Sequence, residues 1–589
     1  MHLQLRLPFA VALTASLALG QTQLLVPSQY PTVQAAIDAA PVGATILVSG
    51  ALSVTTPIDT LGKALTLRGA AGAELLCSSS RAFSFHNGET DSTVIEGLIV
   101  RWGRAPNSTT WGVRGGDGGA MTIVGASPRF VGCVFDSCHA GDGMPGASTT
   151  SLGGPGSGGG HGGVAYVVDG APVFDRCTFT LNRAGAGATG GDGADGANGI
   201  NNAGYSAGNG GPGGDGAVVF ATGSAAHVRL QSCVLQLNVA GRGGRGGQGG
   251  DGGDGVMIAG QWATFGGNGG AGGDGGNGGA ALVRGVAGAV VDVVNCTFES
   301  NWPAAGGGAG HGGTNGVGVH PGTAGSDGAA GADNPCAGVR AGSTSSVANT
   351  VFWNLDHAVG HTATVTLVEV NGGAVAVASV SNGPITGAGC AQLATRPMGL
   401  DLFPLPTGPL VDAGDDSFVS ADMTIDRWGN PRRFDHTWHA DAVDIGAFED
   451  TTAELAPFGC GVNADGALAP GLGSPRLGTT FQAQVQPSGP WFPSPSLAML
   501  AISTTGALPG CGLLLPGFGM DPAAAGALLL DQPTVFDVAI WGGLPTVFAI
   551  TVPNHSTFVG ASLWLQGAMF DPQTGHIGLT RGLQALIGQ

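Results

Sequence analysis

Histidines and aspartates inside glycine-rich runs are the residues of this sequence whose types could do chemistry. His161 and His311 each stand in a Gly-His-Gly triplet, and Asp251 and Asp254 stand in the segment GGDGGDGVM. That segment fits one copy of the nonapeptide G-G-x-G-x-D-x-U-x, which binds Ca²⁺ in tandem arrays because successive turns supply the ligands. One copy in a chain with 112 glycines is expected by chance. Calcium binding by Asp251 and Asp254 is therefore a weak prediction, and the alternative is that the motif occurs by chance. The sequence predicts no other cofactor.

Cysteines and asparagines recur in a shared frame along the chain. The frame is an alternation of apolar residues, then Cys, any residue, an apolar residue, two more residues and Asn. The recurring residues are Cys133, Cys177, Cys233 and Cys296, followed by Asn182, Asn238, Asn301 and Asn354, with Cys138 at the Asn position of the first copy and Asn349 at the Cys position of the fifth. Five related frames indicate an internal repeat.

Variable glycine-rich inserts hide the period of this repeat. The frames lie 44, 56, 63 and 53 residues apart. When the inserts 141–163, 185–216, 241–279 and 304–334 are removed, 21, 24, 24 and 22 residues remain. Each frame alternates with period two and contains Val, Phe and Thr, which is typical of short strands. The sequence therefore predicts an all-β fold, a right-handed parallel β-helix whose inserts leave from one face.

Stacked coils of a β-helix lie about 4.8 Å apart, so equivalent residues form columns. Free cysteine is often fully buried and packs as a small apolar residue, and cysteines that point the same way are poorly placed for disulfides. We expect the cysteines to form a core column and the asparagines to bond backbone at a turn. The segment PTVQAAIDAA predicts a helix that caps the open core, with Thr32 as its N-cap and Val33, Ala36, Ile37 and Ala40 on its buried face.

The N-terminus and the charge of the chain indicate its setting. Residues 1–20, MHLQLRLPFAVALTASLALG, have the pattern of a secretory signal peptide. No later apolar run is long enough to span a membrane, so the mature chain is expected to be secreted or at the cell surface. A net charge of −19 disfavours nucleic acid and anionic membranes. Extracellular polysaccharide or surface components are the expected partners of a monomer.

Two segments resemble known families. YPTVQAAIDAAPVGATILVSG resembles the entry of right-handed β-helix proteins of the pectin-lyase-like superfamily. GPLVDAGDD, DRWGNPRRF and DAVDIGAFE, within 408–449, resemble the end of choice-of-anchor Q β-helix proteins, which are related to polymorphic outer-membrane proteins. The resemblance predicts a β-helix over 21–450 and a small C-terminal domain over 455–589. Alternation in that domain predicts a β-sandwich. Cys460 and Cys511 lie outside the cysteine column and are the expected disulfide pair.

The glycine inserts leave three structural alternatives. In GRGGRGGQGGDGGDG two of every three residues are Gly and Pro is absent, which excludes collagen. A lone run would be a disordered linker, because ordering costs about 1–2 kcal/mol per residue and the run has no apolar surface to bury. Several runs side by side gain backbone hydrogen bonds. The pattern resembles glycine-rich PGRS-type surface proteins, and we expect polyglycine helices that pack as a second layer.

Catalysis is the last question that the sequence raises. Polygalacturonase-like enzymes combine Gly-His-Gly with further acidic and basic segments that are missing around His161 and His311. We therefore expect a non-catalytic scaffold that presents its glycine inserts for adhesion, matrix or spacer roles. The alternative is a β-helix that binds or degrades polysaccharide, as a lyase or a glycoside hydrolase.

Overall fold

The structure is a computed structural model. It describes residues 22–588 apart from 149–150, 201, 263, 280, 334–335, 342–344, 354–365, 371–378, 382–390, 393–397, 399–401, 403, 406–407 and 435–442. The proposed signal peptide, residues 1–20, and Asn354 lie outside the described residues.

Three parallel sheets, named A, B and C here, form the walls of a β-helix. Sheet A contains Gln23–Val26, Thr45–Val48, Thr66–Gly69, Val94–Glu96, Arg129–Val131, Val173–Asp175, His227–Gln231, Val290–Val294 and Ser346–Ala348. Sheet B contains Ala51–Ser53, Glu74–Leu76, Ile99–Arg101, Val134–Asp136, Thr178–Thr180, Val234–Gln236, Thr297–Glu299, Val351–Trp353, Val380–Ser381 and Ala391–Gln392. Sheet C contains Phe83–Phe85, Met121–Val124, Ala165–Val168, Val219–Thr222, Val283–Val286, Cys336–Ala341 and Thr366–Val370. The predicted fold class is confirmed.

Alternate strand residues point into the coil and form columns. Phe135 pairs in register with Phe179, which pairs with Leu235, which pairs with Phe298. All four are fully buried, and the rings of Phe135 and Phe179 stack with centroids 5.3 Å apart. Such stacking lets short strands build a continuous core, because each coil covers the apolar side chains of the next.

A short helix closes the N-terminal end of this core. The helix Val33–Ala39 buries Val33, Ala36 and Ile37. The hydroxyl of Thr32 accepts a hydrogen bond from the Ala35 N–H at 3.1 Å, which satisfies one of the free donors of the first turn. At the other end Lys63 Nζ donates to the carbonyl of Ile37 at 2.7 Å. The helix therefore covers the open coil without leaving its ends unbonded.

A terminal segment, described over 408–434 and 443–450, runs back over the outer face of sheet B. Arg427 Nε donates to Thr178 Oγ1 at 3.0 Å, and the Ala447 N–H donates to Thr297 Oγ1 at 3.0 Å. A 3-10 helix, Asp416–Phe418, lies in this segment. Its apolar side chains join Met398, Leu402 and residues of sheet B in a buried cluster, which contains Val234, Val351, Met398, Leu402, Leu410, Ile445, Ala447 and Phe448.

The C-terminal part consists of antiparallel sheets. A five-stranded sheet contains, in spatial order, Glu454–Phe458, Ile577–Leu586, Ser562–Phe570, Ser496–Ser503 and Thr534–Trp541. A three-stranded sheet contains Leu468–Pro470, Thr480–Val485 and Thr546–Thr551, and a ribbon pairs Leu513–Leu515 with Gly526–Leu528. The two larger sheets share one apolar core that includes Phe481, Leu500 and Leu565. A 3-10 helix, Ser556–Phe558, precedes Ser562–Phe570. Cys460 and Cys511 form a disulfide.

Candidate functional site

All four glycine inserts leave the β-helix at the corner between sheets B and C. The first, for example, follows Val134–Asp136 and precedes Ala165–Val168. The asparagine column stands at this corner and is fully buried at Asn182, Asn238 and Asn301. Asn238 Oδ1 accepts the Asn182 N–H at 3.0 Å, and Asn238 Nδ2 donates to the Phe179 carbonyl at 3.0 Å. The column thus bonds one coil to the next where the inserts begin.

Each insert is a hairpin of two extended runs, and the hairpins form two layers. The outgoing runs are 141–147, 185–199, 241–255 and 304–317, and the returning runs are 153–160, 203–214, 266–279 and 322–333. Neighbouring runs within a layer are parallel, whereas runs that bond between the layers are antiparallel. A two-stranded ribbon, Met257–Ile258 with Gln261–Trp262, closes the tip of the third hairpin. This arrangement is named the glycine lattice below.

Hydrogen bonds in the glycine lattice repeat every three residues. The N–H groups of Gly243, Gly246, Gly249, Gly252 and Gly255 donate to the carbonyls of Ala305, Gly308, His311, Thr314 and Val317 in the same layer. Those of Gly244, Gly247, Gly250 and Gly253 donate to Gly211, Gly208, Tyr205 and Asn202 in the other layer. A three-residue turn of polyproline II type bonds to neighbours in this way, because it makes no internal hydrogen bonds.

In many turns a side chain accepts the third N–H, as at Gln248, Asp251 and Asp254. The Asp251 N–H donates to Asp195 Oδ1 at 2.8 Å, and Asp251 Oδ1 accepts the Thr314 N–H of the next insert at 2.7 Å. Asp254 Oδ1 accepts the Val317 N–H at 3.0 Å in the same manner. The residues that interrupt the glycines are thus part of the hydrogen-bond network.

Asp251 and Asp254 are three residues apart on one run. At about 3.1 Å per residue their positions are separated by about 9 Å. Two ligands of one Ca²⁺ ion lie at most about 5 Å apart, because each is 2.3–2.6 Å from the ion. The structure places both residues as backbone acceptors, and calcium binding by this pair stays a prediction.

In the third insert, the two glycines of a triplet are required by the spacing of the runs. A Cβ atom on Gly250 would lie 2.0 Å from the Ala194 carbonyl oxygen, and one on Gly249 would lie 2.1 Å from the Gly270 oxygen. Both distances are far below van der Waals contact. The third position of each turn tolerates side chains because it points away from both layers.

The last insert ends the lattice. Where the third insert has glycine, the outer edge of the fourth carries side chains, including those of Ala309, Asn315, Ala324 and Ala330. Asp327 Oδ1 accepts the Gly312 N–H at 2.9 Å and Asp333 Oδ1 accepts the Gly306 N–H at 2.8 Å, so acids replace the missing next insert. Glycine therefore occurs where a further run packs against the insert, and other residues can replace it where no further run packs.

The sequence prediction missed the run at the opposite edge. The Gly115 and Gly118 N–H groups donate to the carbonyls of Gly158 and His161, at 3.0 and 2.8 Å. Residues 103–119 thus form a shorter loop that begins the lattice. The segment RGGDGG, at 114–119, was the one signal that could have revealed it.

The two histidines have structural contacts. His161 Nδ1 accepts the Asp215 N–H at 2.8 Å, and the ring stacks on Phe220 with centroids 4.3 Å apart. Burial and the nearby Arg114 and Arg284 lower the pKa of His161 to about 4. His311 lies on the exposed surface, with Nδ1 3.5 Å from Asp327 Oδ1. Neither histidine lies in an arrangement of described residues that suits general acid or base catalysis.

The cysteine column lies in the core. Cys133, Cys177, Cys233 and Cys296 are fully buried as free thiols, one per coil, between sheets A and B. Burial raises the pKa of the Cys133, Cys177 and Cys233 thiols well above the usual value. A protonated, inaccessible thiol is neither a nucleophile nor a metal ligand.

A cavity opens between sheet B and the terminal segment. Its volume is about 480 Å³, and it is lined by Thr178, Val234, Gln236, Leu402, Arg427, Trp428 and Phe448. Trp428 is 70% exposed. The lining residues include no carboxylate, so the cavity offers an aromatic and polar surface without an acid for hydrolysis.

Apolar side chains stand at the distal tips of the inserts. At the tips of the second, third and fourth inserts, the exposed ones are Ile200, Tyr205, Val256, Met257, Ile258, Phe265, Val317 and Val319. The tips of the second, third and fourth inserts are adjacent, because Gly199 bonds to Asp254 and Gly255 bonds to Val317. This set is named the tip patch. It contrasts with the lattice behind it, whose exposed side chains are small or polar.

Comparisons with known proteins add no family. The chain matches no protein-family model, and a search of curated proteins finds no match. Among the described residues, none of the helices has the length and apolar character to cross a membrane.

Proposed function

We propose that this chain is an exported, non-catalytic β-helix whose glycine lattice is a rigid arm that carries the tip patch to a partner outside the cell. The hydrogen-bonded lattice is the observation that carries the proposal. A flexible spacer requires neither a period of three nor carboxylates in register with the next insert. Order of this kind is useful when the position of the tip matters.

The tip patch supports adhesion as the role of the arm. Met257 and Ile258 are 53% and 65% exposed, and Phe265 is 50% exposed. Exposed apolar patches on soluble proteins commonly mark interaction sites. The partner is expected to offer an apolar surface, and the net charge of −19 argues against nucleic acid and anionic lipid.

The proposals of export and of a family relationship are supported by the sequence. Residues 1–20 have the signal-peptide pattern, and 408–449 resemble the end of choice-of-anchor Q proteins of the pectin-lyase-like superfamily. The parallel β-helix is compatible with that superfamily. We propose the relationship, and a monomeric protein at the cell surface, on this basis.

Polysaccharide binding is the second candidate, and the cavity favours it. Trp428 offers a ring on which a sugar could stack, beside the hydrogen-bonding groups of Arg427 and Gln236. Because the lining residues include no carboxylate, binding is a better match than cleavage.

One experiment separates these roles. The full chain is incubated with acidic and neutral polysaccharides, with and without Ca²⁺, and with apolar beads. Retention and new sugar ends are then measured. The tip variant M257S/I258S/F265S is compared with V42S, which removes an apolar side chain that is 73% exposed elsewhere. The proposal predicts retention on apolar beads that the tip variant loses and V42S keeps, without sugar products. Release of products, or equal retention of both variants, would overturn it, and sugar retention lost in W428A would favour the second candidate.

A further inference from the structure

A group of buried acids lies in the terminal segment, away from the glycine lattice. Asp412, Asp444 and Glu449 each place a carboxylate oxygen so that these oxygens lie within 4.8 Å of one another. Their exposed fractions are 3%, 0% and 0%. Asp426 is also fully buried beside them, and its Oδ2 accepts the Glu449 N–H at 3.0 Å. Acids are seldom buried together without a compensating charge.

Arg432 supplies part of that charge. It is fully buried, and its Nη1 lies 3.5 Å from Glu449 Oε2, a long contact for an ion pair. Its Nη2 donates to the Gly446 carbonyl. Burial raises the pKa of Asp444 to about 7, and burial together with the Asp444 charge raises that of Glu449 well above its usual value. One guanidinium therefore leaves the group with a large excess of negative charge when the acids are ionised.

The two carboxylate oxygens of Glu449 differ in their contacts. Oε2 of the same carboxylate accepts the Asp444 N–H at 3.3 Å and faces Arg432. Oε1 is buried and has no hydrogen-bond partner among the described residues. A buried carboxylate oxygen without a partner is costly, and it points to a ligand that the protein itself does not supply.

We propose that Asp412, Asp444 and Glu449 bind one hard divalent cation, and that Ca²⁺ is the best match. The donors are all oxygens, which Ca²⁺ and Mg²⁺ prefer to thiolate or imidazole. Opposite ligands of one Ca²⁺ ion lie about 4.6–5.2 Å apart, so three oxygens within 4.8 Å of one another can share an ion. Mg²⁺ demands near-ideal octahedral geometry and usually keeps several waters, so a set of three protein carboxylates favours Ca²⁺.

The cation would join two stretches that hold the terminal segment to the β-helix. The first stretch contains Asp412 and Asp415, and the second contains Asp444 and Glu449. Asn349 Nδ2 donates to the Asp415 carbonyl at 3.0 Å, and Asn295 Nδ2 donates to the Asp444 carbonyl at 3.0 Å. Binding would therefore stabilise the packing of the terminal segment over sheet B and of the apolar cluster beneath it.

The test titrates the chelator-treated full chain with CaCl₂ and, separately, MgCl₂, by calorimetry and by thermal unfolding. We expect one Ca²⁺ per chain, a higher Tm and weaker binding of Mg²⁺. Glu449→Gln should lower the Ca²⁺ affinity at least about tenfold. Asp412→Asn is the second variant if Glu449→Gln does not fold.

The matched control is the double variant D251N/D254N in the glycine lattice. It removes the charges of exposed Asp251 and half-buried Asp254 and should keep the affinity of the unchanged chain. Absence of heat and of any Tm shift at millimolar Ca²⁺ in the folded chain would overturn the proposal. Loss of binding in D251N/D254N, with binding kept in Glu449→Gln, would overturn it as well, since it would place the ion in the lattice.

Discussion

Asp251 Oδ1 accepts a hydrogen bond from the Thr314 N–H at 2.7 Å, although the two residues are 63 positions apart in the chain. The contact joins the outgoing runs of the third and fourth inserts. It exists because the β-helix stacks the two coils in register, so that the same turn of each insert lies at the same height. A segment that looks like a linker in the sequence thereby becomes part of an ordered layer.

Substitution of lattice glycines should depend on position. Gly250→Ala places a Cβ 2.0 Å from the Ala194 oxygen and is expected to lower the free energy of unfolding by about 1–3 kcal/mol. Gly308→Ala is the matched control, because the nearest atom to its Cβ is Arg245 Cγ at 3.9 Å. It should change the free energy of unfolding by less than about 0.5 kcal/mol. Denaturant unfolding of both variants checks this, and equal effects would mean that the runs are not packed.

The acceptor role of Asp251 can be tested without removing its shape. Asp251→Ala removes the partner of the Thr314 N–H and should cost about 0.5–1.5 kcal/mol, with faster hydrogen exchange at Thr314. Asp251→Asn keeps an oxygen acceptor and should behave like the unchanged chain. If Asp251→Asn exchanges at Thr314 as fast as Asp251→Ala, the carboxylate acts by its charge and not as this acceptor.

His161 should make stability depend on pH. The pKa of His161 is lowered to about 4 in the folded chain, whereas an ordinary histidine has a pKa near 6.5. The unfolded chain therefore binds the extra proton between these values. The stability that comes from neutral His161 is fully present above pH of about 6.5, and it is lost as pH falls towards 4, by at most about 1.4 kcal/mol per pH unit.

His161→Gln is the control for this pH dependence, because it removes the titrating ring and keeps an acceptor. The difference in unfolding free energy between the two proteins should vary with pH from 4 to 6.5 and be flat above that range. A difference that is flat throughout would show that the ring titrates normally in the folded chain.

The thiols of the cysteine column should not react with alkylating reagents in the folded chain. Maleimide labelling at pH 8 followed by peptide mass spectrometry is expected to leave Cys133, Cys177 and Cys233 unmodified in the folded chain. All three should be labelled in denaturant, because burial protects the thiols and raises their pKa. Labelling of Cys177 in native conditions would contradict its place in the core.

The sequence predicts the fold class because columns of a β-helix repeat the same residue types. Cys177 and Phe179 recur in neighbouring frames once the inserts are removed, and stacking explains both. The hairpin path of the inserts was not predictable in detail, since triplets of Gly-Gly-X are compatible with order and disorder alike. Only the three-dimensional register brings Asp251 to Thr314.

The acids of the terminal segment show a second limit of prediction from the sequence. The sequence drew attention to Asp251 and Asp254 through a metal-binding motif, whereas Asp412 and Glu449 stood only in segments that resemble a family, with no sign of a metal site. Nothing in local spacing shows that residues 37 positions apart converge around Arg432. The signal that was present is compositional: Val411, Val443 and Ile445 surround the acids with apolar residues, which is unusual for an exposed loop.

Amide hydrogen exchange over residues 241–279 tests the central claim most directly. An ordered lattice predicts protection of the bonded glycines, such as Gly244, Gly247 and Gly250, for times far longer than those of a free chain. Protection should be lower at the tip, around Gly260. Complete exchange of the whole segment within the dead time would contradict the account and return the inserts to flexible linkers.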